Sequence, residues 1–224
     1  LEFRRVLFRS AATDALSTAD RLLIIDQAAA MLEAIYAHLP LKRALHAIDP
    51  VQRLRLLRLR HELLDEREFQ SELIDIFVSL RDLHTNYILP TVYRRKYAFL
   101  PFRIEEFYVN DERRYLVSWI SPKNTDPHLV SGVEVTHWNG MPIDLAVARN
   151  AAHEAGSNLD ARRAQGLDAL TLRWLGMSLP PDEDWVVPVF TNRSEPRLPV
   201  RSKPVAFWVL NAVTIELTRS SIFC

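Results

Sequence analysis

The sequence predicts an α+β protein in which a helical unit comes first and a β-rich unit with inserted helices follows. Up to about residue 98, apolar residues recur at three- and four-residue steps, the spacing of amphipathic helices. Beyond it, β-branched and aromatic runs flank the turn-forming pairs Asn110-Asp111 and Asn139-Gly140, as in β-hairpins. We therefore expect a helical domain over residues 11–98 and a β-rich domain over residues 99–224.

Two helices are predicted before residue 65. The first covers residues 18–39, where Pro40 stops it, because proline cannot continue a helix. The second follows Pro50. Its apolar side is expected to consist of Leu54, Leu57, Leu63 and Leu64.

A third helix is predicted over residues 66–81. Asp65 and Glu68 resemble a capping box, in which each carboxylate accepts a hydrogen bond from the backbone at the helix start. Asp82-Leu83-His84-Thr85 follows directly, where the chain changes from a helical to a strand-like pattern. A loop between two rigid elements is a common position for an exposed functional side chain.

The second half alternates strands and helices. "AFLPFRIEEFYV" and "RRYLVSWI" are predicted to form a hairpin, and "SGVEVTHWNGMPI" a strand that ends in a tight turn. Helices are expected over residues 144–155 and 158–175, the latter ending on a left-handed Gly176. Further strands are expected at "DWVVPVF", "PVAFWVL" and "AVTIELT".

The composition excludes several classes of protein. The formal net charge is +0, which does not favour nucleic acid or an anionic membrane as a partner. Cys224 is the only cysteine, so no disulfide can form within the chain, and no apolar run has the length of a membrane span. Residues 42–60 are rich in lysine and arginine, but acidic residues follow at once, which favours solvated helix faces over a phosphate-binding patch.

Both ends of the sequence are abrupt. "LEFRRVLFRS" resembles translated adaptor or vector sequence, so we exclude residues 1–10 from the fold prediction. We interpret the chain as a fragment. The compartment is therefore not fixed by the sequence, and a periplasmic or extracellular location is compatible with a signal peptide lost from the N-terminus.

These features together resemble the front half of the tail-specific (C-terminal processing) serine peptidases and their tricorn-core relatives. The resemblance rests on the helical unit, then "LRDLHTNYILP", then a β unit containing "GVEVTHWNGMPI". It implies a PDZ-like β-rich unit that binds an extended polypeptide substrate or a protein C-terminus. It implies no cofactor and no metal.

The resemblance also assigns a role to one histidine. In the tricorn-like branch a histidine at the turn matching His84 is the general base for a distant serine, and Asp82 could orient it. Leu83 stands where the family often has glycine. The nucleophilic serine of the family belongs to a core beyond Cys224, so we expect these 224 residues alone to be inactive.

Other interpretations stay open. His84 could instead be a buried or capping histidine at a helix end. The chain could be a non-catalytic PDZ-like peptide-binding or scaffold protein, or an unrelated α+β domain with an accidental Asp-x-His-Thr. Ser131-Gly132 is more typical of a strand start than of a carboxylate-binding loop, and Ser220-Ser221 of a surface loop.

Overall fold

The computed structural model describes residues 16–122, 124, 126–192 and 195–211. In chain order, its helices are α1 (Thr18–Ala34), α2 (Leu39–His46), α3 (Pro50–Arg60), α4 (Glu66–Ser79), α5 (Thr91–Arg94), α6 (Ile143–Ala151) and α7 (Leu159–Thr171). Its strands are β1 (Lys96–Phe99), β2 (Phe102–Val109), β3 (Glu112–Ile120), β4 (Glu134–Trp138), β5 (Met141–Pro142), β6 (Leu172–Trp174), β7 (Trp185–Val186), β8 (Pro188–Asn192), β9 (Glu195–Arg201), β10 (Val205–Ala206) and β11 (Trp208–Asn211). The predicted α+β class is confirmed.

The first four helices share one hydrophobic core. Its members lie at helical spacing on the inner face of each helix, as the sequence pattern predicts. Capping boxes begin α1 at Ser17 and α4 at Asp65, where the Asp65 carboxylate accepts a hydrogen bond from the Glu68 amide at 2.8 Å. The predicted start of α4 is therefore confirmed.

The predicted helix over residues 18–39 is wrong at its C-terminal end. α1 stops at Ala34, and Pro40 lies in the first turn of α2 instead of terminating a helix. Proline is tolerated there because first-turn amides have no partner within a helix. Leu63 also departs from the prediction, since it lies beyond the end of α3 and is 85% exposed.

The arginines of α3 pair with acidic residues of neighbouring helices. Arg55 contacts Glu33 and Arg58 contacts Asp26, both on α1. Arg60 contacts Glu72 on α4 at 2.7 Å. This part of the basic stretch therefore lies on solvated helix faces, as predicted, and its ion pairs join neighbouring helices.

Within the described residues, the largest sheet contains six antiparallel strands. Five follow the order β2, β3, β4, β8 and β9, and β5 pairs with β4. The predicted hairpins are confirmed, with Asn110, Asp111, Asn139 and Gly140 all at positive φ in their turns. A second sheet has the order β11, β1 and β6, and β7 pairs with β10. "DWVVPVF" and "PVAFWVL" each contain two strands, and "AVTIELT" lies outside the described residues.

α6 and α7 pack against each other and against the sheet. α7 begins after Asn158, the predicted start of this helix, whose side chain caps it by accepting hydrogen bonds from two backbone amides. It ends at Thr171, because the chain turns extended at Leu172 and pairs with β1. The predicted left-handed cap at Gly176 is therefore wrong.

The helical part contacts the β-rich part through polar groups. The Leu89 amide donates to the Gly176 carbonyl at 2.8 Å, and the Arg67 guanidinium donates to the Pro180 carbonyl at 2.9 Å. The division into residues 11–98 and 99–224 stays a prediction, and residues 1–10 lie outside the described chain. Within the described chain, no single helix could cross a membrane by length and composition, whereas the bent pair α1 and α2 meets both criteria.

Candidate active-site turn

α4 ends in a tight, hydrogen-bonded turn. The Arg81 amide donates to the Val78 carbonyl at 3.0 Å, and Arg81 itself is left-handed at φ 52. A left-handed residue after a helix directs the chain away from the helix axis. The Arg81 carbonyl accepts a hydrogen bond from Lys42 Nζ at 2.9 Å, which ties the turn to α2.

Asp82 is the most constrained residue of the turn. One carboxylate oxygen accepts a hydrogen bond from the Tyr36 hydroxyl at 2.6 Å, and the other accepts one from the His84 amide at 2.9 Å. Its side chain is only 16% exposed. The bond to the second following amide is an Asx turn, which fixes the local backbone.

The electrostatics favour a charged Asp82. Burial alone would raise the pKa of this carboxyl, but the Tyr36 hydroxyl, the His84 amide and the charge of Lys42 together lower it. Burial and the bond to Asp82 raise the pKa of the Tyr36 hydroxyl, whereas the Thr85 side chain acts in the opposite direction. At neutral pH the pair is therefore a phenol donor and a carboxylate acceptor.

The His84 ring faces solvent. Its side chain is 94% exposed, and Nδ1 lies 3.8 Å from Asp82 Oδ1, too far for a hydrogen bond. Among the described residues it bonds to no carbonyl of the last turn of α4; the Phe77 and Val78 carbonyls accept from the Leu80 and Arg81 amides. The ring therefore does not cap the helix. Its catalytic role stays a prediction.

Leu83 holds the turn against the β-rich part. The Asn86 amide group donates to the Leu83 carbonyl at 2.6 Å. A Cβ at Gly156, between α6 and α7, would lie 3.2 Å from Leu83 Cγ, and Gly156 has φ +104. Leu83 thus packs on a backbone that only glycine adopts without strain.

Tyr36 was missed by the sequence analysis. It follows α1 and lies 46 residues before its partner Asp82. No local pattern signals such a long-range pair, since a tyrosine after a helix is more often a partly buried apolar residue. Among the described residues, no three His, Cys, Asp or Glu side chains lie close enough to hold a metal ion.

The other residues singled out in the sequence have structural surroundings. Gly132 lies in a turn two residues before β4, at φ 88, and its amide donates to the Val117 carbonyl at 2.8 Å. His137 Nδ1 lies 3.1 Å from the Thr136 hydroxyl in β4. Ser220 and Ser221 lie outside the described residues.

Most of the β-rich part matches the model of a known domain family. A family model described as PDZ domain matches residues 96–190. These residues form a PDZ domain. It includes β1 to β7, most of β8 and both inserted helices, so the predicted PDZ-like unit is confirmed at this level. No curated protein sequence matches the chain significantly.

Solved structures with a similar fold extend this likeness beyond the PDZ domain. Mature CPAF complexed with lactacystin aligns with a TM-score of 0.64 at 17% identity, covering 90% of this chain and 38% of its own. Mature CPAF aligns with a TM-score of 0.63 at 17% identity, covering 90% of this chain and 37% of its own. A serine-to-alanine mutant of CPAF aligns with a TM-score of 0.63 at 17% identity, covering 85% of this chain and 35% of its own. At such identity the likeness shows the fold alone. The chain spans less than two fifths of these proteins.

The PDZ domain offers one long edge strand. β2 lies at the end of its sheet and pairs with β3, and no other described strand pairs with it. α7 lies beside it, with Arg103 of β2 bonded to Asp168 of α7 at 2.8 Å. Just before β2, the Leu100 amide donates to the Thr171 carbonyl at 2.8 Å, and Pro101 has no amide hydrogen.

Proposed function

We propose that this chain contributes peptide binding and a general base, His84, to a serine endopeptidase of the tail-specific family, whose nucleophilic serine lies outside these 224 residues. The observation that carries the proposal is the Asp82 to His84 turn. It presents an exposed imidazole beside a carboxylate that Tyr36 holds in place. The resemblance of the sequence to that family, and the similar fold of CPAF over most of this chain, support it.

The chemistry follows from the two ring nitrogens of His84. With Nδ1 protonated and directed at Asp82, Nε2 carries the lone pair and can take the proton of a serine hydroxyl as that oxygen attacks a peptide carbonyl. The charged Asp82 then stabilises the imidazolium. The 3.8 Å between Nδ1 and Oδ1 has to shorten to about 3 Å for this, and such contacts are commonly long before substrate binds.

The PDZ domain supplies the peptide-binding part of the proposal. An extended polypeptide can add as a strand to an exposed sheet edge, where main-chain hydrogen bonds supply the affinity. β2 is such an edge in the described chain. We propose that the polypeptide substrate, or a protein C-terminus, binds along β2 and that the chain uses no metal or organic cofactor.

The test is His84→Ala in the complete gene, with peptidase activity and stability measured together. Because the ring is exposed, we expect an unchanged unfolding midpoint and a loss of activity of about 100-fold or more. His128→Ala is a matched control: its amide also bonds to an aspartate two residues earlier, Asp126, at 3.0 Å, and His128 is exposed. Full activity in a folded His84→Ala enzyme would remove the proposed base.

A non-catalytic peptide-binding or scaffold protein is the second candidate. The turn of Asp126 and His128 favours it, because this turn has the same Asx hydrogen bond as Asp82 and His84 but lies away from any proposed site. An aspartate-x-histidine turn is therefore not by itself a sign of catalysis. The two candidates differ in the complete gene product, because only the peptidase cleaves casein. The 224-residue chain alone is expected to cleave neither casein nor peptide esters under either proposal.

A further inference from the structure

Four basic side chains converge where α2, the turn after α4 and α7 meet. Lys42 and His46 are four residues apart on α2 and so share one face. Arg81 lies in the turn, and Arg162 lies in the first half of α7. We call these four residues the basic junction. Lys42 Nζ donates to the Arg81 carbonyl at 2.9 Å, and Leu83 of the same turn packs on Gly156, just before α7. In agreement with this geometry, burial and then the charges of Lys42, Arg81 and Arg162 lower the pKa of His46.

The basic junction has no acidic partner in the described chain. None of its four side chains is within ion-pair distance of an aspartate or glutamate there, whereas every arginine of α3 is paired. Asp82, whose pKa the charge of Lys42 helps to lower, is bonded to the Tyr36 hydroxyl and the His84 amide. Its single charge leaves the junction with an excess of positive charge.

Three nitrogen atoms of the junction are enclosed without a hydrogen-bond partner among the described residues. They are Arg81 Nη1, Arg162 Nε and His46 Nε2. A buried donor without a partner is costly, and native proteins satisfy most such groups with protein, water or an ion. Burial and then the charge of Arg162 also lower the pKa of Arg81.

We propose that the basic junction is an oxyanion-binding site that takes a phosphate or the carboxylate of a polypeptide. An oxyanion would neutralise the like charges and accept hydrogen bonds from Arg81 Nη1. Guanidinium groups bind both kinds of anion through charge-assisted hydrogen bonds, and Lys42 and Arg162 supply further charge at the same place. The site is separate from the β2 edge, and its existence does not depend on the proposed peptidase function.

The experiment titrates the 224-residue chain with three probes at constant ionic strength. They are inorganic phosphate, acetyl-trialanine with a free carboxylate, and the same peptide as a carboxamide. Binding is followed by calorimetry and by the amide resonances of α2. We expect phosphate, the free acid or both to bind, with Kd in the range of about 1 mM, and the carboxamide not to bind.

Charge-removing variants locate the site. Arg81→Gln and Arg162→Gln should each weaken oxyanion binding at least about tenfold. Arg162→Gln should also raise the unfolding midpoint in the absence of the anion, because it relieves repulsion. Arg95→Gln removes an exposed arginine with no ion pair in the described chain and should change neither quantity.

The outcomes separate cleanly. Binding of the free acid but not the carboxamide identifies a polypeptide carboxylate, and binding of phosphate alone identifies a phosphate ligand; both support the site. The proposal is overturned if neither oxyanion binds up to about 50 mM. It is equally overturned if binding persists in both Arg81→Gln and Arg162→Gln, since the anion would then lie elsewhere.

Discussion

Tyr36→Phe removes one hydroxyl and tests whether Tyr36 fixes the candidate turn. The hydroxyl donates to Asp82 at 2.6 Å, and the acceptor is charged and mostly buried. Hydrogen bonds to charged groups contribute about 1.5–3 kcal/mol. Tyr36 is half-buried, so water can partly replace it, and we expect a loss of about 1–2 kcal/mol in the free energy of unfolding.

The loss should depend on pH in a defined direction. The folded-state pKa of Asp82 is lowered below 3.8, so its stabilising contribution is present above that value. It disappears as the pH falls through the lowered pKa, because the protonated carboxyl no longer attracts the donor as a charge. The difference between Tyr36→Phe and the parent chain should therefore be full at neutral pH and shrink in acid.

The assay is urea denaturation of a double-mutant cycle. Tyr36→Phe, Asp82→Asn and the double variant should give a coupling energy of about 1–2 kcal/mol at neutral pH. Tyr97→Phe is the control, since the Tyr97 hydroxyl has no hydrogen-bond partner among the described residues and its loss should cost less than about 0.5 kcal/mol. A coupling energy near zero, or equal losses for Tyr36→Phe and Tyr97→Phe, would refute the reasoning.

Three further predictions concern stability. Asp65→Ala should lower the free energy of unfolding by about 0.5–2 kcal/mol by removing the cap of α4, whereas Asp65→Asn should retain most of it; equal losses would exclude the cap as the cause. Gly166→Ala should destabilise by about 1–3 kcal/mol, because its Cβ would lie 2.6 Å from the Ala151 nitrogen, and a raised thermal midpoint would contradict this. The Asp75 carboxylate raises the pKa of His153 above 6.5. Because both side chains are mostly exposed, the pair should add less than about 1 kcal/mol to the free energy of unfolding below pH 6.5. This contribution should be lost as the pH rises through the raised pKa. Urea midpoints of His153→Gln and the parent chain should thus differ at about pH 5.5 and coincide at about pH 8.5, and a gap that persists at the higher pH would count against the pair.

Local signals predicted the parts of the fold that are fixed locally. The capping box of Asp65 predicts the start of α4. Asn110 and Gly140 predict hairpins because the turns of those hairpins need residues at positive φ. Pro40 failed as a signal because proline suits both the end of one helix and the first turn of the next. The choice between them depends on how α1 and α2 pack, which no local pattern contains.

The candidate site was predictable only in part. The sequence indicated that His84 follows a helix, and the structure adds the hydrogen bond from the His84 amide to Asp82 that forms the turn. The support from Tyr36 and the contact of Leu83 with Gly156 join residues far apart in sequence. The basic junction likewise combines three elements. Such groupings come from tertiary packing, so a single sequence does not reveal them.

Leu100 and Pro101, just before β2, limit how a polypeptide would bind along that strand. A strand added antiparallel to β2 would place its C-terminal end beside Leu100, whose amide already bonds to Thr171, and beside Pro101, which has no amide hydrogen. That end would find no cradle of free amides to hold a terminal carboxylate. Without a contact that fixes the end of the polypeptide, its main chain can form the same hydrogen bonds to β2 after each shift of two residues. A polypeptide segment or a protein C-terminus would then be held on β2 by its main chain, in more than one register, and not by its terminal carboxylate.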